Sequence, residues 1–497
     1  MINVLQYGNN IKAWWDYNDL KSNGYYVVII NGKKQKRKQT FITVKNLDFG
    51  TTYSVSVYLV IDGVKTLIGE QSICLNAPKR VIDVTKAPYF ANGDGETLIT
   101  DKLQKAIDDC GKDEEVFFPD GIDFTGALNL HSTVTLHLSK KAIIRGSESV
   151  KDYLPKTPSR FEGTMRECYR SLINCGTPDP NLPCIHKNVK IYGGTIEGGG
   201  NALREDTINL ERSAVLKEYG FEDCVSPPTL YYNVIPGRAR GRLIQVSNTE
   251  NFAVIDCNLR NAPAWSNHFI FCRDVVVCGC KVYSRRISNG DGIDPDSTEN
   301  CTFFDIKFFT GDDSIAIKSG KNAEGERIAR PTKNVKVFSC KGYAGHGMAI
   351  GSEMSGGVED VHVWDCDFLN TTRGIHIKTD KGRGGYVKNV KVDNCSFSGI
   401  CISMAYGDNN DGESAKKLPV FENFVFKNVT MDGVMKVESD DRRKNVPLVS
   451  IIGLSGSQVK GVLIDGLKTT NVPNGYDRTV SVKNAQNVLI KNIEILE

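Results

Sequence analysis

Asn389-Val-Lys-Val-Asp-Asn-Cys395 has the form of a short strand with a marker at each end, and the chain repeats that form. Asp360-Val-His-Val-Trp-Asp-Cys366, Asn334-Val-Lys-Val-Phe-Ser-Cys340 and Asp274-Val-Val-Val-Cys-Gly-Cys280 share it, as do the runs Asn251–Cys257, Asn300–Ile306, Asn423–Val429 and Asn487–Ile493. An earlier copy spans Asn188–Gly194 and a looser one ends at Leu467. From Cys257 onward the run ends recur 23 to 38 residues apart. Self-similarity at that spacing marks a solenoid, in which each unit buries its apolar face only against its neighbours. Each unit reads as strand with Gly- and Asn-rich corners and no crossover helix. The expected fold is therefore all-β, a right-handed parallel β-helix. A sandwich would show regular hairpin turns, and an α/β fold would need helices between strands. The Cys and aliphatic residues that end the runs should stack as an interior ladder.

The composition fits a large folded core: 497 residues, 40% hydrophobic and 24% charged. Lys+Arg total 62 against 59 Asp+Glu, a net charge of +3, which gives no support to nucleic acid or a membrane surface as partner. No run approaches the roughly 18 apolar residues of a membrane span. No basic region followed by an apolar stretch opens the chain, so the cytoplasm is the expected location. The 15 cysteines mostly sit singly in apolar runs, and Cys278 and Cys280 form a lone C-x-C. Reduced, buried thiols are expected, not a zinc site or a disulfide framework. The sequence sets no oligomeric state.

Residues 1–78 read as a separate small β domain. Tyr25–Ile30 is a strand, Asn31-Gly32 a hairpin turn and Lys33–Arg37 a basic return, followed by strands over Phe41–Leu47 and Thr52–Val60 and a turn at Asp62-Gly63. With Trp15 upstream, Leu47-Asp-Phe-Gly-Thr-Thr-Tyr53 resembles a fibronectin type III sandwich, Tyr53 taking the corner position. Ala77-Pro78 reads as a linker, and residues 79–497 as the solenoid. Leu98–Cys110 carries apolar residues at 103, 106, 107 and 110, which predicts a helix capping the open first coil.

The repeat register also locates chemistry. Asp312 and Asp313 lie 6 and 7 positions after Ile306, His346 lies 6 after Cys340, and Arg373 lies 7 after Cys366. Equal offsets on neighbouring coils stack about 4.8 Å apart, so one of these aspartates, His346 and Arg373 should fall above one another. Asp291 (11 after Cys280) and Lys378 (12 after Cys366) should lie further round their own turns. Three carboxylates among cationic groups suit acid–base cleavage of an acidic sugar: one protonated carboxyl acts as acid, one carboxylate as base or nucleophile, and basic side chains hold the substrate carboxylate. Adjacent carboxylates raise one another's pKa, which helps keep one protonated. The spacing of Asp291, Asp294 and Asp296 is not that of an EF-hand loop. Gly382-Arg-Gly-Gly385 reads as a corner. Trp265 and His268 either floor a sugar subsite or pack inside. Arg240 and Arg242 either meet acidic substrate or lie as surface charge.

Four ordered stretches, Ser288-Asn-Gly-Asp-Gly-Ile-Asp-Pro-Asp-Ser297, Gly311-Asp-Asp-Ser314, Gly345-His-Gly347 and His376-Ile-Lys378, resemble the four signatures of the family 28 glycoside hydrolases, the polygalacturonases. The resemblance spans residues 80–497 and includes Asn92-Gly-Asp-Gly95, Thr195–Gly200 and Asn261–Trp265. It implies a parallel β-helix and inverting, metal-independent hydrolysis of α-1,4-linked galacturonate, with polygalacturonate or its oligomers as partner and no cofactor. It also implies roles. Asp312 is the general acid, Asp291 and Asp313 activate the water, His346 orients the acid, and Lys378 binds the sugar carboxylate. Asn289, His376, Arg373 and His268 complete the implied substrate contacts. Two positions depart from the family pattern: Asn289-Gly290-Asp291 replaces Asn-Thr-Asp, and His376-x-Lys378 replaces Arg-x-Lys. A neutral imidazole offers no bidentate fork, so either Arg373 supplies the charge or the pocket suits another sugar.

Three other readings start from the same residues: an endo-acting or rhamnogalacturonan-type hydrolase, a Ca²⁺-dependent β-helix lyase, and a non-catalytic β-helix that binds polysaccharide. Exo action is the expectation, because insertions at Lys321–Lys333 and Ala405–Lys417 lie near the site. The pairing of a type III-like domain with this catalytic region also resembles the layout of exo-acting family members.

Overall fold

A computed structural model describes residues 2–20, 23–218, 236–407, 412–436, 443–469 and 479–496. The chain divides into two compact units, residues 1–81 with 113–115, and residues 82–112 with 116–497. The smaller unit holds two antiparallel sheets, one of Ile2–Tyr7, Asn10–Trp15 and Phe41–Val44, the other of Lys33–Arg37, Tyr25–Ile30, Thr52–Ile61 and Val64–Cys74. Alternation in Tyr25–Ile30 sends Tyr26 and Val28 into a core shared with Trp15, Ile42, Val55 and Val57. The Trp15 and Tyr26 rings meet edge to face at 5.3 Å. Asn31 and Gly32 both take positive φ, 44° and 81°, as a tight hairpin turn requires. The Asp48 amide donates to the Tyr53 hydroxyl oxygen at 3.0 Å, pinning the corner five residues upstream.

In the larger unit, 29 strands among the described residues join one sheet, and its coil-to-coil pairs are parallel. One column of paired residues runs Val189, Phe252, Val275, Cys301, Val335, Val361, Val390, Phe424, Val462 and Val488. These are the first apolar positions of the repeated runs, so the sequence repeat and the coil coincide. The run-ending residues stack as expected. Cys257, Cys280, Ile306, Cys340, Cys366, Cys395, Val429 and Leu467 are at most 3% exposed, and the described cysteines are free thiols. Ile493, at the same position of the last described coil, is 54% exposed.

The leading Asn or Asp of each run has a backbone task. Asp274, Asn300, Asn334, Asp360, Asn389 and Asn423 all have φ between 54° and 61°, the left-handed corner that starts each strand. Their side chains then bond coil to coil: the Asn334 amide donates to Asn300 at 2.8 Å, and Asn300 donates to Asp274 at 2.8 Å.

The predicted helix is present as Thr100–Asp108, with Leu103, Ala106 and Ile107 buried against the first coil. Three elements between coils obey no repeat, and of these the sequence shows only the insertion at Lys321–Lys333, not that it forms a helix. The three are a helix over Gly200–Glu218, an antiparallel hairpin of Thr157–Phe161 and Thr164–Cys168, and a short helix over Asn322–Ile328. Residues 408–411 of the Ala405–Lys417 insertion lie outside the described residues.

The corner ladder yields a stability prediction. Asn334→Ala should lose about 1–2 kcal/mol in urea denaturation, because Ala neither tolerates the left-handed corner nor replaces the amide bond. Asn334→Gly, free of the backbone penalty, should lose less. Equal losses would show that the amide, not the corner, is what matters.

Candidate active site

Coil register builds the site. Ile293 pairs with Ile315, Ile315 with Met348, and Met348 with Ile375. Two residues before each lie Asp291, Asp313, His346 and Arg373, and the Asp313–His346 pairing is itself in register. The column is therefore one member longer than expected. Asp291 was placed further round its turn, but the loop of residues 284–290 takes up the extra residues and brings it into line. Gly290 is what lets that loop close. A Cβ there would lie 2.7 Å from the carbonyl oxygens of both Ile287 and Ser284, so the threonine of the usual Asn-Thr-Asp signature does not fit. Gly292 is equally constrained, since its Cβ would meet the Ser314 oxygen at 2.4 Å.

The charges in this column are tightly matched. His346 Nδ1 lies 3.0 Å from Asp312 Oδ1 and 3.3 Å from Asp313 Oδ1. Lys378 Nζ donates to Asp313 Oδ2 at 3.1 Å. The Asp313 amide donates to Asp312 Oδ1 at 3.0 Å. Burial alone would push the Asp313 carboxyl up, yet the Lys378 ammonium and the His346 imidazole hold it well below the usual carboxylate range. Burial would also lower His346, but hydrogen bonding to Asp312 and Asp313 overturns that and raises it to about 10. Asp312 is the most open of the acids, its side chain 28% exposed. The donor atoms of Asp312, Asp313 and His346 lie within 4.8 Å of one another, close enough to hold a metal. The protonated imidazole that the two carboxylates favour has no lone pair to offer one.

Asp291 differs. It is 3% exposed, and burial, then Asp294 and Asp312, push its carboxyl well up. Asp294, fully buried, is also pushed well up by burial, against the pull of Lys318. These two adjacent acids favour holding a proton, so the resting negative charge sits on Asp313.

Other sequence candidates separate clearly. His376 is in the site, 3% exposed, with Arg373 Nη1 3.4 Å from its Nδ1. Burial, then Lys378 and Arg373, lower it to about 3, so it is neutral. The exposed Arg373 beside it carries the positive charge that an arginine at 376 would have supplied. His268 does not reach substrate. It is fully buried, edge-on to Trp265 at 4.7 Å and 3.5 Å from Asp296. Trp265, 2% exposed, packs inside and floors no open subsite. Asn289 has its side-chain oxygen taken by Arg240 Nη2 at 2.8 Å. Arg240, also bonded to the Ser288 and Pro263 carbonyls, is a buried clamp on this loop and not surface charge. Arg242 is equally buried, its guanidinium 4.6 Å from the Trp265 ring centre and 4.2 Å from that of Phe161.

Sequence reasoning missed Lys318, Glu353, Arg160 and Tyr406. Arg160, at the hairpin turn, pairs with buried Asp296 at 2.7 Å. The Tyr406 ring packs edge-on to His376 at 5.3 Å, with Lys378 Nζ 5.0 Å from its centre. These residues lie in insertions or late corners, where no repeat guides the eye. Lys318 had a visible signal, since it follows Asp313 by five residues on the same strand direction.

A parallel solenoid with carboxylates, an imidazolium and a lysine gathered at one column has the groups that a glycosidase of the acid–base kind needs. The family model "Glycosyl hydrolases family 28" matches residues 185–490. The chain belongs to family 28 of the glycosyl hydrolases. An exo-poly-alpha-D-galacturonosidase of Dickeya chrysanthemi is 27% identical over 448 residues, covering 84% of this chain and 72% of that protein. An endo-polygalacturonase of Pectobacterium carotovorum subsp. carotovorum is 27% identical over 413 residues, covering 78% of this chain and 92% of that one. The solved family 28 exopolygalacturonase of Yersinia enterocolitica shares the fold at 22% identity and a TM-score of 0.77, covering 100% of this chain and 98% of its own.

Two outcomes test the site. Asp312→Asn should keep its melting temperature and lose at least about 10²-fold in kcat, the scale of a positioned acid; near-normal turnover would remove Asp312 from that role. The His346 imidazole should stay protonated between about pH 5 and 8 and titrate near 10. Because its pKa is raised, the stability it contributes is full below about 6.5 and lost as pH climbs through about 10. An NMR titration assigned with His346→Gln reads this directly, and a midpoint near 6.5 would mean the neighbouring carboxylates do not carry the charge described.

Proposed function

We propose that the protein hydrolyses the α-1,4-galacturonosidic bonds of polygalacturonate and its oligomers, with inversion, and acts from a chain end. The observation that carries the reading is the single column of Asp291, Asp313, His346 and Arg373, with Asp312 and Lys378 beside it. The names of the relatives support polygalacturonate as substrate.

Each group has a task in that reaction. Asp312, the most accessible acid, gives its proton to the leaving glycosidic oxygen. Asp313, held ionised, takes the proton of the attacking water on the opposite face of the sugar, with Asp291 completing the water's site. His346, lying between Asp312 and Asp313, fixes both. Arg373 and Lys378 hold the galacturonate carboxylate, while neutral His376 packs beside it and adds no charge.

Exo action is supported by three insertions that are tied together. Lys321 N donates to the Gly163 oxygen at 3.0 Å and Met165 N to Glu324 at 2.8 Å, joining the hairpin to the short helix. Ala323 N donates to the Glu413 oxygen at 3.0 Å and Lys416 N to Glu326 at 2.9 Å, joining that helix to the later insertion. Arg160 and Arg383 root this ridge at Asp296 and Asn322 beside the site. A bound ridge of this kind suits a wall at one end of the cleft.

Reducing-sugar release from polygalacturonate, with viscosity followed in parallel, tests the reading. Steady release of a single small product with little early loss of viscosity is expected. The fresh product should be the β anomer by NMR, and chelator should leave the rate unchanged. A steep early viscosity drop with mixed oligomers would defeat the exo assignment. An unsaturated, ultraviolet-absorbing product or loss of rate in chelator would indicate a lyase. Cleavage of rhamnogalacturonan in preference would move the substrate assignment.

A further inference from the structure

Lys318 lies among the acids of the site and has no role in the reaction as described. Its backbone is fixed on three sides: its amide donates to the Pro295 oxygen at 2.8 Å, and its oxygen accepts from Ser297 N at 3.1 Å and Thr332 Oγ1 at 2.6 Å. Its side chain is buried at 7% exposure. Nζ lies 3.1 Å from Glu353 Oε2, 3.8 Å from Asp294 Oδ1 and 5.0 Å from the Trp265 ring centre. Too deep to meet solvent, this ammonium divides its attraction between two carboxylates on different coils.

Asp294 makes that division consequential. It is fully buried, and among the described residues neither carboxylate oxygen has a hydrogen-bond partner. A buried carboxylate is tolerated when protonated or when a cation stands close, and Lys318 is the cation within ion-pair distance. Asp294 in turn influences Asp291, the acid assigned to the water. Glu353 does not depend on Lys318 alone, because Arg383 lies 3.9 Å from its other oxygen.

We propose that Lys318 is a positioning residue whose ammonium, shared between Glu353 and Asp294, decides which of the buried carboxylates beside the attacking water is ionised. The inference rests on the hydrolase reading above. The charged groups facing Lys318 include Asp313 on its own strand, Asp291, Asp294 and Asp296 on the preceding coil, and Glu353 on the following one. Arg242, Arg160 and His268 lie behind Asp294 and Asp296, and Lys378 and Arg383 lie beyond Glu353. Glu353, Asp294, Asp291 and Asp313 hold the ammonium charged against burial, and Asp296 is in turn lowered by it. Lys318 is thus the charge that Asp294 and Glu353 share, with Arg242 on the far side of one and Arg383, Lys378 and Lys321 around the other.

Three variants test this through the acid limb of the kcat/KM profile, where activity falls as the base takes up a proton. Lys318→Met removes the charge and should move that limb up by at least about one pH unit, the scale of one close opposite charge. Lys318→Arg keeps the charge and should leave the limb near wild type. Glu353→Gln removes the negative charge that Lys318 faces most closely, leaves more of its field to the base Asp313, and should move the limb down. Opposite shifts are the signature, since a merely structural lysine would lower activity at every pH and leave the limb in place. Unchanged limbs, or an upward shift in Glu353→Gln, would overturn the proposal. Carboxyl ¹³C NMR titration of Asp291 and Asp294 without substrate should show the same order. Should Lys318→Met fail to fold, Glu353→Gln decides in both measurements. Should wild type not cleave polygalacturonate, the function assigned above falls and the NMR titration still decides the role of Lys318.

Discussion

Everything in the larger unit depends on the parallel ladder that holds each coil about 4.8 Å above the last. That spacing turns sequence offsets into positions in space. Asp291, Asp313, His346 and Arg373 come from four coils, yet they line up because Ile293, Ile315, Met348 and Ile375 pair beneath them. The apolar column is what the folding energy favours, and the polar column is carried along with it. A one-residue slip in any of these strands would turn its catalytic side chain to the wrong face. The left-handed Asn and Asp corners guard against that slip, since their side chains bond one corner to the next and register becomes costly to change.

The same rigidity explains how so many charges survive near one another. Two separate balances operate. On the open side, Asp313 is surrounded by Lys378 and His346 and stays ionised while the imidazole stays protonated. On the buried side, Asp291 and Asp294 act on one another with Lys318 3.8 Å from Asp294, and they favour holding a proton. Breaking a buried pair commonly costs about 3–5 kcal/mol, because one charge is left uncompensated. Neither group can therefore be altered without consequence for the other, although Asp313 and Asp291, the two acids proposed to activate water, belong one to each balance. Their unequal charge follows from burial and neighbours, not from residue type.

Much of this was legible before any coordinates. The repeated Asn-to-Cys runs gave the coil, its inward positions and its ladder, because each apolar residue there answers to a neighbour at a fixed offset. The stacking of Asp313 and His346 was legible for the same reason, since they lie at similar offsets on adjacent coils that pair in register, whereas Lys378 was picked out by its motif. What failed has a common cause. Asp291 was misplaced because a loop of residues 284–290 absorbs length that a residue count cannot see. The helix over Gly200–Glu218 and the hairpin around Gly163 lie between coils and obey no repeat. Burial was the other blind spot. His268, Trp265, Arg240 and Arg242 carry groups that suit a sugar pocket, and only the packing of Phe161 and the Ser288–Asn289 loop over them shows that they face inward.

Those inward-facing groups clarify the departures from the usual signatures. Gly290 and Arg240 act together: the missing side chain lets the loop tuck against Ser284 and Ile287, and the buried guanidinium then seizes Ser288 and Asn289 from behind. Asp291 is thereby carried deep enough for Asp294 to influence its charge. On the other rim, replacing the family's arginine with His376 removes a cation from a place already held by Lys378 and Arg373. A third cation there would compete for Asp313, whose ionisation depends on the Lys378 contact at 3.1 Å. A neutral ring fills the volume, packs against Tyr406, and leaves that contact undisturbed. Both substitutions thus tighten the packing around a carboxylate while keeping the number of nearby charges in balance, which is the condition a buried acid–base site must meet to exist at all.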